Sequence, residues 1–251
     1  MRKNLEVTMC QENSSQLPKR FSIKDRFRGF YPVVVDVETA GFNPETDALL
    51  EVAMMTMTMD DNGYLQPDEI MSANIRPFPN SNIEPSNIAF LGIDPFDESR
   101  NLQDERVAVL PMFKAISKKM KKEGCTRAIL VGHNGFFDLS FIHALAKRLN
   151  YKRCPFHQFT VFDTASLAGL VYGQTVLARA CTAAGIEFED DKAHGAKYDT
   201  LMECKLFCSI FNRYTLFAGF PDPIEQTLLD FRAHLKDKED PEKTPDSCKT
   251  E

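Results

Sequence analysis

The spacing of apolar and polar positions changes several times along the chain. Tyr31-Pro-Val-Val-Val-Asp-Val37 is a short apolar run rich in β-branched residues, the pattern of a strand buried on both faces. Ala48 to Met59 predicts a second strand, Asp61-Asn62-Gly63 a hairpin turn, and Glu69 to Arg76 the returning third strand. The period then switches. A short helix is predicted from Ser86 to Leu91, between Pro85 and Gly92, and a longer one from Asp104 to Lys122. Arg127 to Gly132 reads as a fourth, buried strand, Phe137 to Leu149 as a helix, and Gln158 to Val161 as a short fifth strand. Helices follow near Ser166, near Ala178 and from Ala196 to Phe211. A three-strand meander followed by alternating helices and strands predicts an α/β fold, with a mixed sheet flanked by helices.

The two ends lack such periodicity. Residues 1–20 are polar and read as a flexible N-terminal arm. Residues 236–251 mix Lys, Asp, Glu and Pro without apolar anchors and read as a disordered tail. Residues 21–235 remain as one domain. Composition adds limits. The chain has 251 residues, 43% of them hydrophobic, with 20 Phe and no Trp. Its formal net charge of −6 means that a polyanionic partner must be met by a local basic patch or by bound cations. Seven Cys, an odd number without paired spacing, fit a reduced cytoplasmic protein. No apolar run approaches the roughly 20 residues of a membrane span, and Met1-Arg2-Lys3-Asn4-Leu5-Glu6 has no apolar signal region. A soluble, cytoplasmic protein with no membrane contact is expected.

Three short segments carry candidate chemistry. In Val35-Asp36-Val37-Glu38, the acids are two apart on a strand and so share a face at its carboxyl end, where open α/β sheets hold ligands. Alone, such a pair is as readily an exposed strand end. In His133-Asn134-Gly135-Phe136-Phe137-Asp138, Asp138 falls in helical register with Phe141, Ile142, Leu145 and Leu149. A carboxylate on an apolar stripe is costly unless compensated. The alternative is a solvated first-turn acid stabilised by the helix dipole. In His194-Gly-Ala-Lys-Tyr-Asp199, Asp199 is in register with Met202, Glu203, Leu206 and Ile210, and His194 lies just upstream. A lone histidine of this kind is more often an ordinary loop residue.

Together the segments aim several carboxylates at one end of the sheet. Converging carboxylates repel unless protonated or bridged by cations. Hard divalent ions such as Mg²⁺ or Mn²⁺ suit oxygen ligands, and two of them about 3.5–4 Å apart stabilise both oxygens of a phosphodiester displacement. An imidazole is suited to take the proton of an attacking water.

The order and spacing of these residues resemble the DEDDh exonuclease superfamily, whose three motifs are Asp-x-Glu, His-Asn-x-x-x-Asp and His-x-x-x-x-Asp. Longer phrases resemble a branch of it that trims RNA ends. They include Arg26-Phe-Arg-Gly-Phe-Tyr-Pro-Val-Val-Val-Asp-Val-Glu-Thr-Ala-Gly-Phe42, Phe90-Leu-Gly-Ile-Asp-Pro95, Gly132-His-Asn-Gly-Phe-Phe-Asp138 and Phe162-Asp-Thr-Ala-Ser-Leu-Ala168. The resemblance implies a ribonuclease H-like fold and a 3′→5′ exoribonuclease that trims tRNA and other stable RNA ends and also acts on single-stranded DNA ends. It implies two Mg²⁺ per subunit, replaceable by Mn²⁺, and a homodimer. Asp36, Glu38, Asp138, His194 and Asp199 would form the catalytic and metal-binding set, with Asp36 bridging both ions and His194 as general base.

The same resemblance implies that Phe42, Phe90, Phe137 and Phe159 stack on terminal bases, although a Phe considered alone is more often core. It places Arg26, Arg28, Lys121, Arg127 and Lys152 on a basic RNA-binding surface opposite the catalytic face, which would serve a partner subunit. One position departs. Ser86 follows Pro85 where relatives in that branch carry a Glu associated with disfavouring C, so base preference does not carry over. Asp163 reads as a helix N-cap, and Cys204 and Cys208 as core thiols. Neither a serine-hydrolase elbow nor a glycine-rich phosphate loop is present in the sequence. The competing readings are a DNA-proofreading exonuclease and a non-catalytic binding module. The RNA-trimming phrases oppose the first, and the five filled positions oppose the second.

Overall fold

A computed structural model describes residues 21–219. The expected N-terminal arm and C-terminal tail lie outside those residues, as does 220–235. Five strands form one mixed sheet in the order β3-β2-β1-β4-β5, where β1 is Phe30–Thr39, β2 Leu49–Met59, β3 Leu65–Asn74, β4 Arg127–Gly132 and β5 Phe156–Asp163. β1 is antiparallel to β2 and parallel to β4. The helices are α1 (Ile23–Arg26), α2 (Pro85–Leu91), α3 (Glu105–Lys122), α4 (Phe136–Arg148), α5 (Thr164–Tyr172), α6 (Leu177–Ala183) and α7 (Ala196–Ala218).

Val33, Val34 and Val35 in β1 are all fully buried. Successive strand residues face opposite ways, so both faces of the central strand are covered. Each such side chain contributes about 1.5–3 kcal/mol when removed from water. Acidic residues interrupt this apolar construction, among them Asp36 and Glu38 on β1 and the buried Asp138 and Glu203 on the helices beside it.

Several boundaries differ from the sequence reading. β3 starts at Leu65, not Glu69. Asp60 closes the hairpin, accepting the amides of Asn62 and Tyr64 at 2.9 Å, so pairing resumes at once. Pro67 is tolerated because β3 is an edge strand and the register shifts there. β5 is twice the expected length, Phe156–Asp163. α7 runs seven residues past Phe211 to Ala218. Asn212 holds it against the sheet, exchanging hydrogen bonds of 2.8 and 2.9 Å with the backbone of Leu65. α1 has no apolar period to announce it. Ser22 caps it by accepting the Asp25 amide, and Ile23 anchors it in the core. Asp163 caps α5 through the amides of Ala165 and Ser166, and Cys204 and Cys208 are core thiols, both as read from the sequence. Among the described residues, no helix is long and apolar enough to cross a membrane.

Candidate active site

β1 outruns β4. Their pairing ends at Val34 and Val131, while β1 continues to Thr39. The backbone beyond needs other partners. Asp138, in the first turn of α4, supplies one: its Oδ1 accepts the Val37 amide at 3.0 Å. Asp138 is thereby fixed between Asp36 and Glu38 on the strand. Its residue is 4% exposed, deep on the stripe formed by Phe141, Ile142 and Leu145.

Asp199 comes from the third segment. His194 adopts a left-handed φ of 63°, and its amide donates to Asp199 Oδ2 at 3.0 Å. Glu51, opposite Glu38 on β2, steadies the same entry to α7. Its Oε2 accepts the Ala196 amide at 3.2 Å, and its Oε1 pairs with Arg100 at 2.7 Å. The His194 side chain is exposed and meets the Phe90 ring edge-on at 5.0 Å.

One oxygen each from Asp36, Glu38 and Asp199 lies within 4.8 Å of the others. Asp138 and His194 stand outside that trio: Asp138 is turned partly to the backbone, and His194 sits on the solvent side. Asp36 Oδ2 and Asp199 Oδ1 are sealed from water without a hydrogen-bond partner. Burial, then the neighbouring acids, push the Asp36 carboxyl well above its ordinary range. Glu38 is pushed up to about 8 by burial, Asp199, Glu51 and Asp138. Burial raises Asp138 to about 7 against the pull of backbone amides, and it raises Asp199 against the pull of the His194 amide and ring. Orphaned oxygens on hard donors fit a divalent cation, which supplies the missing positive charge.

The sequence reading missed two contributors. Glu203, one turn after Asp199, is 2% exposed, and its Oε1 accepts the His133 amide at 3.1 Å. Burial, then Asp138, holds its carboxyl well above the usual range. The signal was a glutamate in register on an apolar stripe. Glu51 had none, because its role depends on which strand lies beside β1.

Among the aromatics, Phe42, Phe90 and Phe159 are 77%, 67% and 69% exposed. Gly41 makes the Phe42 turn possible: a Cβ there would stand 2.1 Å from Asp47 Oδ2, the atom that accepts the Asn43 amide. Phe137 is half-buried, bridging Phe42 at 6.3 Å and core Phe141 at 5.0 Å. Phe159 stands apart from these. Its ring contact is with His157, which in turn meets Phe30 at the start of β1. His157 also accepts the Phe159 and Thr160 amides, shaping that part of β5.

The basic residues divide. Arg28, Lys121, Arg127 and Lys152 are exposed, and a groove of about 510 Å³ runs past Lys114, Lys118, Lys121, Arg127 and Arg153. Arg26 lies over the Phe211 ring at 5.0 Å. Lys147 and Arg148 point elsewhere, to Glu45 and Glu105. Arg127 pairs with Phe30, six residues before Asp36. At ~3.3 Å per residue, this surface lies about 20 Å along β1 from the carboxylates.

A family model described as Exonuclease matches residues 33–207, which makes the chain an exonuclease by class. Ribonuclease T of Yersinia enterocolitica is 52% identical over 202 residues, 80% of this chain and 94% of that protein. Ribonuclease T of Salmonella choleraesuis is 52% identical over 200 residues, 80% of this chain and 93% of that one. The chain therefore belongs to the ribonuclease T family of exonucleases. Among solved structures, E. coli exonuclease I in complex with a dT13 oligonucleotide aligns with a TM-score of 0.57 at 18% identity. The match covers 75% of this chain and 43% of that one, a likeness of fold. The fold is the ribonuclease H-like mixed sheet expected from the resemblance.

Proposed function

We propose that this exonuclease trims the 3′ ends of tRNA and other stable RNAs, releasing 5′-mononucleotides, and acts secondarily on single-stranded DNA 3′ ends. The observation that carries the reading is the close trio of Asp36, Glu38 and Asp199 with its orphaned oxygens. Asp36, Glu38, Asp138 and Asp199 are the residues that would hold two Mg²⁺ per subunit, with Mn²⁺ as a substitute. When bound, such ions supply positive charge at the attacking and leaving oxygens of a phosphodiester displacement.

The chain's own groups do the rest. His194, exposed beside the trio, takes the proton of the attacking water. Its left-handed backbone and the Asp199 contact set where the imidazole stands. Phe42, Phe90 and Phe137 offer faces on which the last bases stack, worth about 1–3 kcal/mol per base and indifferent to sequence. Phe159, farther along β5, would serve a longer strand. Arg26, Arg28, Lys121, Arg127 and Lys152 would hold the RNA backbone. Their distance from the carboxylates of the same chain supports a homodimer in which each basic surface feeds the partner's site. A cytoplasmic location goes with stable-RNA substrates.

The test is one set of incubations: purified protein with 3′-labelled uncharged tRNA or a mismatched DNA primer, in Mg²⁺ or EDTA. Mononucleotide release from tRNA that needs Mg²⁺ and exceeds release from the primer is expected. Faster turnover of the primer would favour the proofreading reading, and release in EDTA would overturn the metal-dependent one.

A further inference from the structure

The turn between β4 and α4 is held from several sides. Asn134 is left-handed, with φ 64°. The turn packs so closely that a Cβ on Gly132 would stand 2.9 Å from Gly135 Cα and 3.1 Å from the Val35 carbonyl oxygen. Two successive amides point outward, and carboxylates from different elements accept them. His133 N donates to Glu203 Oε1 at 3.1 Å, and Asn134 N to Asp163 Oδ1 at 2.8 Å. The His133 ring is fixed at both nitrogens, Nδ1 at 3.0 Å from Thr164 Oγ1 and Nε2 at 2.7 Å from the Thr175 carbonyl. A carbonyl only accepts, so Nε2 carries a proton.

Asp163 is a partly exposed helix cap, an ordinary use of a carboxylate. Glu203 is different. It is 98% buried, and its second oxygen has no partner. A neutral acceptor would hold one amide at far lower desolvation cost. Its place is also particular. Glu203 lies one helical turn beyond Asp199 and reaches the turn that launches Asp138. Asp138 in turn accepts the Val37 amide between Asp36 and Glu38. Hydrogen bonds to backbone thus run from α7 through the turn to β1, joining the three segments that carry the carboxylates.

We infer that Glu203 is a positioning residue: by holding the His133 amide it sets Asp138 against Asp199 and so fixes the spacing of the carboxylate cluster. The consequence for metal uptake rests on the metal-dependent reading above. The bond to His133, not the charge of Glu203, carries the effect.

Two variants separate bond from charge. Glu203→Gln keeps an acceptor of the same reach and drops the charge. Glu203→Asp keeps the charge and, one methylene shorter, cannot reach His133. Each full-length variant is read by amide hydrogen exchange at His133 and Asn134 and by Mn²⁺ titration calorimetry. The glutamine variant is expected to keep amide protection and Mn²⁺ affinity. The aspartate variant is expected to lose protection and to bind Mn²⁺ about 10–100-fold more weakly, the usual effect of losing an outer partner of a metal site. Wild-type protection and affinity in the aspartate variant, or equal loss in the glutamine variant, would overturn the inference. If the wild-type protein itself takes up no Mn²⁺, the metal reading falls, and the exchange data alone decide whether Glu203 holds the turn.

Discussion

The two ends of β1 handle charge in opposite ways. At the carboxyl end, Asp36, Glu38, Asp138, Asp199 and Glu203 crowd together, largely out of water, with oxygens left unpartnered. At the amino end, Arg28, Lys121, Arg127 and Lys152 stand in solvent, Lys121 and Arg127 along an open groove. Exposed charges cost little to place and act over distance, but salt screens them. Buried like charges are expensive, and that expense makes a high affinity for small hard cations. One end is therefore suited to hold and cut, the other to attract and orient a long polyanion.

The sharpest way to break this comparison is Asp36→Asn. Loss of the central carboxylate is expected to lower single-turnover hydrolysis by about 10³-fold or more, since metal-borne charge stabilisation is worth several kcal/mol. Melting of the metal-free variant should move upward, because a buried carboxyl that the fold must keep protonated gives way to a neutral amide. Retained activity would mean that the cluster is not the site. His194→Ala comes next, with hydrolysis reduced on the order of 10²-fold or more while RNA binding persists. An unchanged single-turnover rate on a 3′-tailed RNA would remove His194 from the chemistry.

A smaller effect tests the buried charge itself. Burial pushes Glu38 up to about 8 and Asp138 up to about 7, from ordinary values of 4.5 and 3.8. Between those limits the folded protein keeps protons that the unfolded chain releases. Their contribution to stability is complete at acid pH and is lost as pH rises through about 7–8. The metal-free melting temperature should fall from about pH 5.5 to about pH 8.5, and Mg²⁺ should remove most of that slope. A metal-free melting curve independent of pH would count against it. At the basic end, Arg28→Ala should weaken RNA binding modestly and reduce the slope of log affinity against log salt by about 0.7–0.9, one phosphate contact. A wild-type slope would detach Arg28 from the RNA path.

Much of this was legible in the chain. The β-branched run Tyr31–Val37 and the alternation of later elements predict a mixed sheet, because burial on both faces leaves no other pattern. Asp36, Glu38, Asp138 and Asp199 stood out together: each alone has an ordinary explanation, but three segments aiming acids at one end of the sheet do not. Less was legible for β3 and α7. Pro67 reads as a breaker unless the strand is known to be an edge, and the extension of α7 is held by Asn212 reaching Leu65 across the fold. Phe137 and Phe159 show the same limit: exposure and ring partners depend on neighbours distant in sequence.

By itself, then, the sequence determined the element types, the central strand and the acids that sit where acids are costly. These follow from local periodicity and from the expense of burying charge. Tertiary structure alone decided that β1 outruns β4 so that Asp138 can take the Val37 amide, that Glu51 lies opposite Glu38, and that Glu203 reaches His133. Each of those contacts joins residues far apart in the chain. Their hydrogen bonds exist only once strand register and helix packing have set the distances.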